Sequence, residues 1–273
     1  MKKIVAFTIA DNKNIEFARR LRNSLRKFHS EEELPLIVVT QDQVQAQNDP
    51  DFYYRATPKI ASQLLKEYET VIKLDADQII FGPLSYTWEG EFDVAVVQNS
   101  NPKDTKDYTV AVWDIDSLSY VNAGFVVMKS KKFVDHWNRL CHGPVFPHYQ
   151  MREQDLLNIM VFYGDYNVKF LDQGPKWHGL ISKKWEPEMI LNEDYSDGFG
   201  EGPDRNERKI IPKLILPKNG VWPANEDKEI IVVHFAGGNN SAKGKYKIMF
   251  NEEVSKHIDW LISDEQKEKQ KQK

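Results

Sequence analysis

Apolar residues fall along this chain in two alternating rhythms. Residues 3–10 (KIVAFTIA) form a near-continuous apolar run, the pattern of a strand buried on both faces. Residues 13–28 then place Ile15, Ala18, Leu21, Leu25 and Phe28 at helical spacing, with Arg19, Arg20, Arg22 and Arg26 mainly off that stripe. LPLIVVT (34–40) reads as a second buried strand. Pro58 suits the first turn of a second helix with Ile60, Leu64, Leu65 and Tyr68 on its apolar side. TVIKL (70–74) reads as a third strand that ends at Asp75. Strand–helix–strand–helix–strand predicts a parallel, Rossmann-like α/β sheet, which binds ligands beyond the carboxyl ends of its strands.

The alternation continues. FDVAVVQ (92–98), GFVVMK (124–129), VKFLD (168–172) and EIIVVHF (229–235) read as strands. Residues 131–141, through Phe133, Val134, Trp137 and Leu140, and residues 153–162 read as helices. Asn251 suits the cap of a last helix through Val254, Ile258, Leu261 and Ile262. Residues 174–228 carry spaced Gly and Pro, aromatic patches and the run GEGPDRNERK, the pattern of a loop-rich elaboration rather than a second core. The expected organisation is one domain over 1–263 and a polar tail, 264–273.

Composition narrows the function classes. The chain has 273 residues, 41% hydrophobic and 12% aromatic, which is globular rather than disordered. Its net charge of −4 argues against a dedicated nucleic-acid binder and leaves an anionic small molecule in need of local cations. The single cysteine, Cys141, excludes an intramolecular disulfide framework. No stretch approaches the ~18 apolar residues of a membrane span, and the opening KKIVAFTIA is cut short by Asp11 before it makes a signal peptide. A cytoplasmic protein is expected. The arginines of 19–26 suit a solvated helix face or, as the lesser option, a phosphate or membrane contact, and the tail EQKEKQKQK offers anionic lipid at most a weak peripheral contact.

The chemistry concentrates where strands end. Asp75 and Asp77 sit one residue apart as an apolar strand emerges, and on an extended backbone they point to one side. Two such carboxylates repel unless a cation lies between them, and hard oxygen ligands suit Mg²⁺ or Mn²⁺. Solvated strand-end acids are the other reading. His234 ends another strand, before Gly237 and Gly238, either as a structural histidine or as a third ligand; an imidazole tilts the choice toward Mn²⁺. The glycine-rich turn suits a phosphate, with Lys243 or Lys245 adding charge.

Together, four motifs in order resemble the GT-A-fold glycosyltransferases of family eight, the family of glycogenin and the bacterial lipopolysaccharide galactosyltransferases. The likeness spans roughly residues 1–172 and 229–247. Thr8-Ile9-Ala10-Asp11-Asn12 resembles the stretch that holds uridine and ribose, Asp75-Ala76-Asp77 the metal-binding Asp-x-Asp, Asn122-Ala123-Gly124 the segment before a strand that faces the donor sugar, and Glu153-Gln154-Asp155-Leu156-Leu157-Asn158 the Asp-Gln-x-x-Leu-Asn pattern. His234-Phe235-Ala236-Gly237 matches the third metal ligand and its phosphate turn, and Lys59 sits where the family has a basic donor contact. The chain departs from the family twice: Glu153 stands for Asp, and no Lys-Pro-Trp follows the His-x-x-Gly turn.

The resemblance implies transfer of a sugar from a nucleotide diphosphate donor to a hydroxyl of a glycan, lipid-linked or protein acceptor, with retention at the anomeric carbon. UDP-glucose, UDP-galactose and UDP-N-acetylglucosamine are the expected donors. Asp75, Asp77 and His234 would hold Mn²⁺, or Mg²⁺. Asp11 and Asn12 would orient uridine and ribose; Asn122, Glu153 and Gln154 would bind the sugar. Gln154 is a poor nucleophile and Asp155 a weaker candidate, so a front-face transfer fits better than a covalent glycosyl-enzyme. Read as local structure, Asp11 and Asn12 suit a helix cap, Asn122 and Gly124 a turn, and Gln154 and Asp155 a helix start. Trp177, Trp185 and Trp222 read as loop anchors or sugar platforms. An inverting GT-A transferase using Glu186, Asp194 or Asp197, a sugar-1-phosphate nucleotidyltransferase and a non-catalytic nucleotide-sugar-binding module are the rival readings.

Overall fold

The computed structural model describes residues 2–11, 15–40, 51–80, 82–98, 115, 119–171, 176–180, 190–191, 214–215 and 229–234. Asn12, Trp185, Trp222, Gly237, Lys243, Lys245, the helix expected after Asn251 and the tail lie outside these residues. Among the described residues eleven strands follow in chain order: β1 (Lys2–Ala10), β2 (Leu36–Thr40), β3 (Tyr68–Leu74), β4 (Gln78–Ile80), β5 (Val94–Gln98), β6 (Val121–Met128), β7 (Val168–Phe170), β8 (Lys176–Leu180), β9 (Ile190–Leu191), β10 (Leu214–Ile215) and β11 (Glu229–His234). The helices are α1 (Ile15–Leu25), α2 (Phe52–Leu64), α3 (Lys131–His142) and α4 (Glu153–Tyr163).

Six strands form the central sheet in the order β2-β1-β3-β6-β5-β7. The expected parallel β2-β1-β3 arrangement is present. β6 runs antiparallel to both β3 and β5, and β5 pairs β7 in parallel, so the sheet is mainly rather than wholly parallel. A second sheet, β4-β11-β8, forms beyond the end of β3. Its β8 lies in the segment expected to be loop-rich, and β9 pairs β10 there as well.

Strand alternation sorts the core into two layers. Val5, Phe7, Ile9 and Val71 face the side covered by α2, α3 and α4, where Trp137, Phe133 and Leu157 are fully buried. Ala6, Ile72 and Leu74 face the side of α1 (Leu21, Leu25) and the second sheet (Ile80, Ile231). Lys73 and Asp75 continue the Val71 face, which aims them at the α2–α4 side.

Three boundaries differ from the sequence reading. α2 begins at Phe52, so Pro58 is interior rather than in the first turn; burial of Phe52 and Ala56 draws the earlier turn into the helix against the proline's preference. Tyr68 belongs to β3 and not to the helix, because its backbone pairs with Lys2. β6 starts at Val121, so Asn122-Ala123-Gly124 lie inside the strand; an irregularity between Val96 and Val97 of β5 lets Val97 pair with Asn122 and Gln98 with Val121.

α4 is pinned to β6 by Asn158, which is fully buried. Its Oδ1 accepts from Val121 N (2.7 Å), and its Nδ2 donates to Val121 O (2.9 Å) and to Gln154 O (2.8 Å). Asn158→Ala strands two groups of Val121 in a dry interior, where each unmade bond costs about 1–3 kcal/mol. Urea unfolding is therefore expected to show a loss of at least about 2 kcal/mol.

Candidate active site

The site is assembled at the carboxyl end of β3. Asp75 leaves the strand with its N–H donating to Gly124 O of β6 (2.8 Å). Gln78, at the start of β4, donates from Nε2 to the same carbonyl (3.0 Å). α1 holds β4 in place, because Ile80 N donates to the buried Ser24 hydroxyl (3.0 Å). β11 lies antiparallel beside β4 with His234 opposite Gln78. His234 is thereby delivered to the two aspartates: its Nε2 lies 3.2 Å from Asp75 Oδ2 and 3.1 Å from Asp77 Oδ1.

Gly124 makes this meeting possible. A Cβ there would lie 2.6 Å from Asn122 Oδ1 and 2.7 Å from Asp75 Oδ2 and would collide with His234 Cε1.

One donor atom from each of Asp75, Asp77 and His234 falls within 4.8 Å of the others. Cis ligands of a six-coordinate ion with bonds of ~2.1 Å sit roughly 3 Å apart, close to the spacings found here. The set of two carboxylate oxygens and one imidazole nitrogen suits a divalent cation. Its electrostatics fit too. Burial disfavours the charge on Asp75, but Lys73 and His234 outweigh it and hold the carboxyl well below the ordinary range. Burial also disfavours imidazolium at His234, yet Asp77 and Asp75 outweigh it and raise the ring to about 9. The site already stabilises positive charge between its acids, and a metal would displace the His234 proton.

Beside this cluster opens a cleft of about 270 Å³, lined by Ile9 and Phe17, Tyr53, Tyr54 and Thr57 of α2, Lys73, Asp75-Ala76-Asp77, and Glu153 at the head of α4. The residue before Glu153, Arg152, has φ 53°, the one non-glycine positive φ among the described residues. Arg152 Nε donates to Asp51 Oδ1 (3.2 Å), and its Nη1 donates to the carbonyls of Pro147 (3.0 Å) and Tyr149 (2.8 Å), which hold that costly conformation. Trp137 Nε1 donates to Glu153 O (2.9 Å). The Glu153 carboxyl is pushed up to about 8, first by burial, against the pull of Lys73, and its Oε2 has no hydrogen-bond partner among the described residues.

Gln154 faces β6. Its Oε1 accepts from Ala123 N (3.0 Å) and Asn122 Nδ2 (3.1 Å), and Asn122 Oδ1 accepts from Gly124 N (2.7 Å). Asp155, the weaker nucleophile candidate, does not line the cleft. It is 1% exposed, and its oxygens accept from Tyr120 Oη (2.6 Å) and Met151 N (2.8 Å), so it organises the helix start instead.

The other expected positions divide similarly. Asp11 lies half-buried just beyond β1, while Thr8 and Ala10 are fully buried in β1 and Ile9 lines the cleft between them. Lys59 is exposed on α2 and is not part of the lining, because Tyr53, Tyr54 and Thr57 take the cleft-facing positions of that helix. Among the described residues the lining cation is Lys73, which sequence reasoning passed over; a lysine inside the apolar run VIKL was its signal.

No family model matches the chain, and no curated protein matches it. Solved structures do. A galactosyltransferase, LgtC, in complex with donor and acceptor sugar analogues aligns over 95% of both chains at 15% identity with a TM-score of 0.53. A glycosyltransferase involved in glycosylation of the major capsid of PBCV-1 aligns over 94% of this chain and 99% of its own at 10% identity, TM-score 0.54. The bifunctional glycosyltransferase WbbM aligns over 87% of this chain and 46% of its own at 12% identity, TM-score 0.55. The chain has the GT-A glycosyltransferase fold. No helix among the described residues is long and apolar enough to cross a membrane.

Two outcomes follow from the geometry. Gly124→Ala forces a methyl into the Asp75–His234 contact, and overpacking of this kind costs roughly 1–3 kcal/mol. Divalent-cation binding, followed by calorimetric titration, is expected to be weakened by about tenfold or more. The raised Glu153 pKa means that the folded state keeps a proton the unfolded chain has lost, so this group lowers stability as pH climbs from about 4.5 to about 8. Glu153→Gln should raise the melting temperature relative to the parent at pH 8.5, with the difference vanishing near pH 4.

Proposed function

We propose that this protein is a metal-dependent glycosyltransferase of the family-eight type, moving a sugar from a UDP-linked donor to an acceptor hydroxyl with retention of anomeric configuration. The observation that carries the reading is the Asp75–Asp77–His234 cluster at the carboxyl end of β3 in a GT-A fold, opening on a cleft walled by Glu153 and by α2. LgtC supports it as a galactosyltransferase of the same fold. In this reading Asp75, Asp77 and His234 hold Mn²⁺, with Mg²⁺ as the substitute. Such an ion supplies Lewis-acid stabilisation for the departing diphosphate.

The remaining work falls to the chain's own groups. Asp11 and Asn12 orient uridine and ribose at the end of β1. The Glu153 carboxyl, whose Oε2 has no partner among the described residues, takes a hydroxyl of the donor sugar. Gln154 keeps Asn122-Ala123-Gly124 against the sugar, its carbonyl oxygen already committed to Ala123 and Asn122. That commitment, with both Asp155 oxygens engaged, disfavours a covalent glycosyl-enzyme. A front-face transfer remains, in which the leaving phosphate oxygen accepts the proton of the attacking hydroxyl. Gly237 and Lys243 are assigned to the phosphate side. UDP-glucose, UDP-galactose and UDP-N-acetylglucosamine are the candidate donors; a glycan, lipid-linked or protein hydroxyl is the acceptor. We place the reaction in the cytoplasm, where nucleotide sugars are made.

Thermal-shift screening of these donors and GDP-mannose with Mn²⁺ is expected to select a UDP-sugar, and metal-dependent release of UDP should follow. Asp77→Asn should lower that release by roughly 100-fold or more, since it removes a metal ligand's charge. Full activity of Asp77→Asn would remove the metal reading, and an inverted product linkage by NMR would remove the retaining one.

A further inference from the structure

Lys73 is the one cation among the described residues that lines the cleft, and its burial has a cost. Its residue is 5% exposed, in a strand whose other late positions, Val71, Ile72 and Leu74, are fully buried and apolar. Its strand partners are Phe7 and Val126, both apolar. An ammonium in such surroundings is stabilised only if paired, and an apolar residue would serve the core better. The pairing is with Asp75: Lys73 Nζ contacts Oδ1, while His234 holds Oδ2. Each oxygen of one carboxylate thus has a different neighbour, which leaves the His234–Asp77 side for a metal and the Oδ1 side for a fixed positive charge.

The charge balance shows what that cation serves. The charge of a divalent ion held by this cluster would be cancelled by Asp75 and Asp77, so the metal cluster would bring no net charge to a diphosphate that carries one negative charge on each phosphate. Lys59, the lysine the sequence motifs favour, is outside the lining. Lys73 stands in the lining beside the metal cluster and carries three N–H donors, one of them given to Asp75, on a strand of the sheet rather than on a loop.

Resting on the proposed function, we infer that Lys73 is a donor-binding residue that contacts the diphosphate of the nucleotide sugar directly, the role that the motif pattern assigns to lysines elsewhere in the chain. Its place on β3 ties phosphate recognition and metal holding to one carboxylate: a donor phosphate that reaches Lys73 lies against the Oδ1 edge of Asp75, next to the bound ion.

The test separates contact from mere orientation of Asp75. Lys73→Met and Lys73→Arg are titrated by calorimetry with Mn²⁺ alone, then with UDP in saturating Mn²⁺, with circular dichroism to verify folding. Lys73→Met is expected to bind Mn²⁺ as tightly as the parent or more tightly, since a neighbouring positive charge is gone, and to bind UDP at least tenfold more weakly. Lys73→Arg should recover most of the UDP affinity. If Lys73→Met does not fold, Lys73→Gln is read in the same way. UDP affinity within threefold of the parent overturns the inference. So does a loss of UDP binding matched by an equal loss of Mn²⁺ binding, which would make Lys73 only a positioning residue for Asp75. If the parent itself binds no UDP in Mn²⁺, the proposed function fails first and takes the inference with it.

Discussion

The site depends on a close approach between backbones. β3 and β6 bring Asp75 N onto Gly124 O, and β4 adds Gln78 Nε2 to that carbonyl, so three elements converge on one peptide unit. Only a residue without a side chain lets His234 of the second sheet reach across it, because a Cβ there meets Asp75, Asn122 and His234 together. The turn that leads from β3 of the six-stranded sheet into β4 of the three-stranded sheet carries the two acids, and β11 of the three-stranded sheet supplies the imidazole. Neither sheet holds the cluster by itself. The hydroxyl of Ser24 on Ile80 N and the ring of His29 on Leu84 N fix β4 and the segment after it to the α1 side, so part of the site's precision is set at a distance from it.

That convergence puts charges where hydrophobic packing alone would not. Lys73, His234 and Asp155 are buried, and Glu153 keeps a carboxyl oxygen without a hydrogen-bond partner among the described residues. These are local conflicts of the kind that a sequence selected for stability avoids, and they cluster around one cleft. Arg152 adds a backbone conflict immediately before Glu153. The neighbourhood that tolerates them is closely packed: Trp137 and Phe133 of α3 and Leu157 and Asn158 of α4 are all fully buried. Preorganised charge in a low-dielectric setting is what a reaction that develops negative charge on a leaving diphosphate needs.

Much of this was legible in the residues, and the limits have physical causes. Buried strands with near-continuous apolar runs stand out because both faces are covered, so β1, β2, β3, β5 and β11 were readable. The antiparallel course of β6 was not, because direction is a property of connections rather than of composition. β4 and β8 are short strands whose partner is β11, far off in sequence, and no local pattern encodes that pairing. Asp75, Asp77 and His234 were recognisable as candidate ligands at strand ends, and the structure brings them together. The division between Gln154, turned to β6, and Asp155, sealed under Tyr120, depends on the rotation of α4, which Asn158 sets through Val121.

The weighting of the lysines has the same origin. Lysines near glycine turns and on helices attract attention because exposed lysines are common and mobile, whereas a lysine in an apolar strand reads as noise in a hydrophobic pattern. The burial of Lys73 reverses that weighting. A surface ammonium is well solvated and gains little from an anion, while one already stripped of water and anchored to a carboxylate has little further desolvation to suffer when a phosphate arrives. Asp75 makes the arrangement self-consistent, since the oxygen that pairs with Lys73 is not the one that faces His234. The carboxylate is therefore the hinge of the site's electrostatics: it holds the fixed cation on one edge and leaves the other for an exchangeable one.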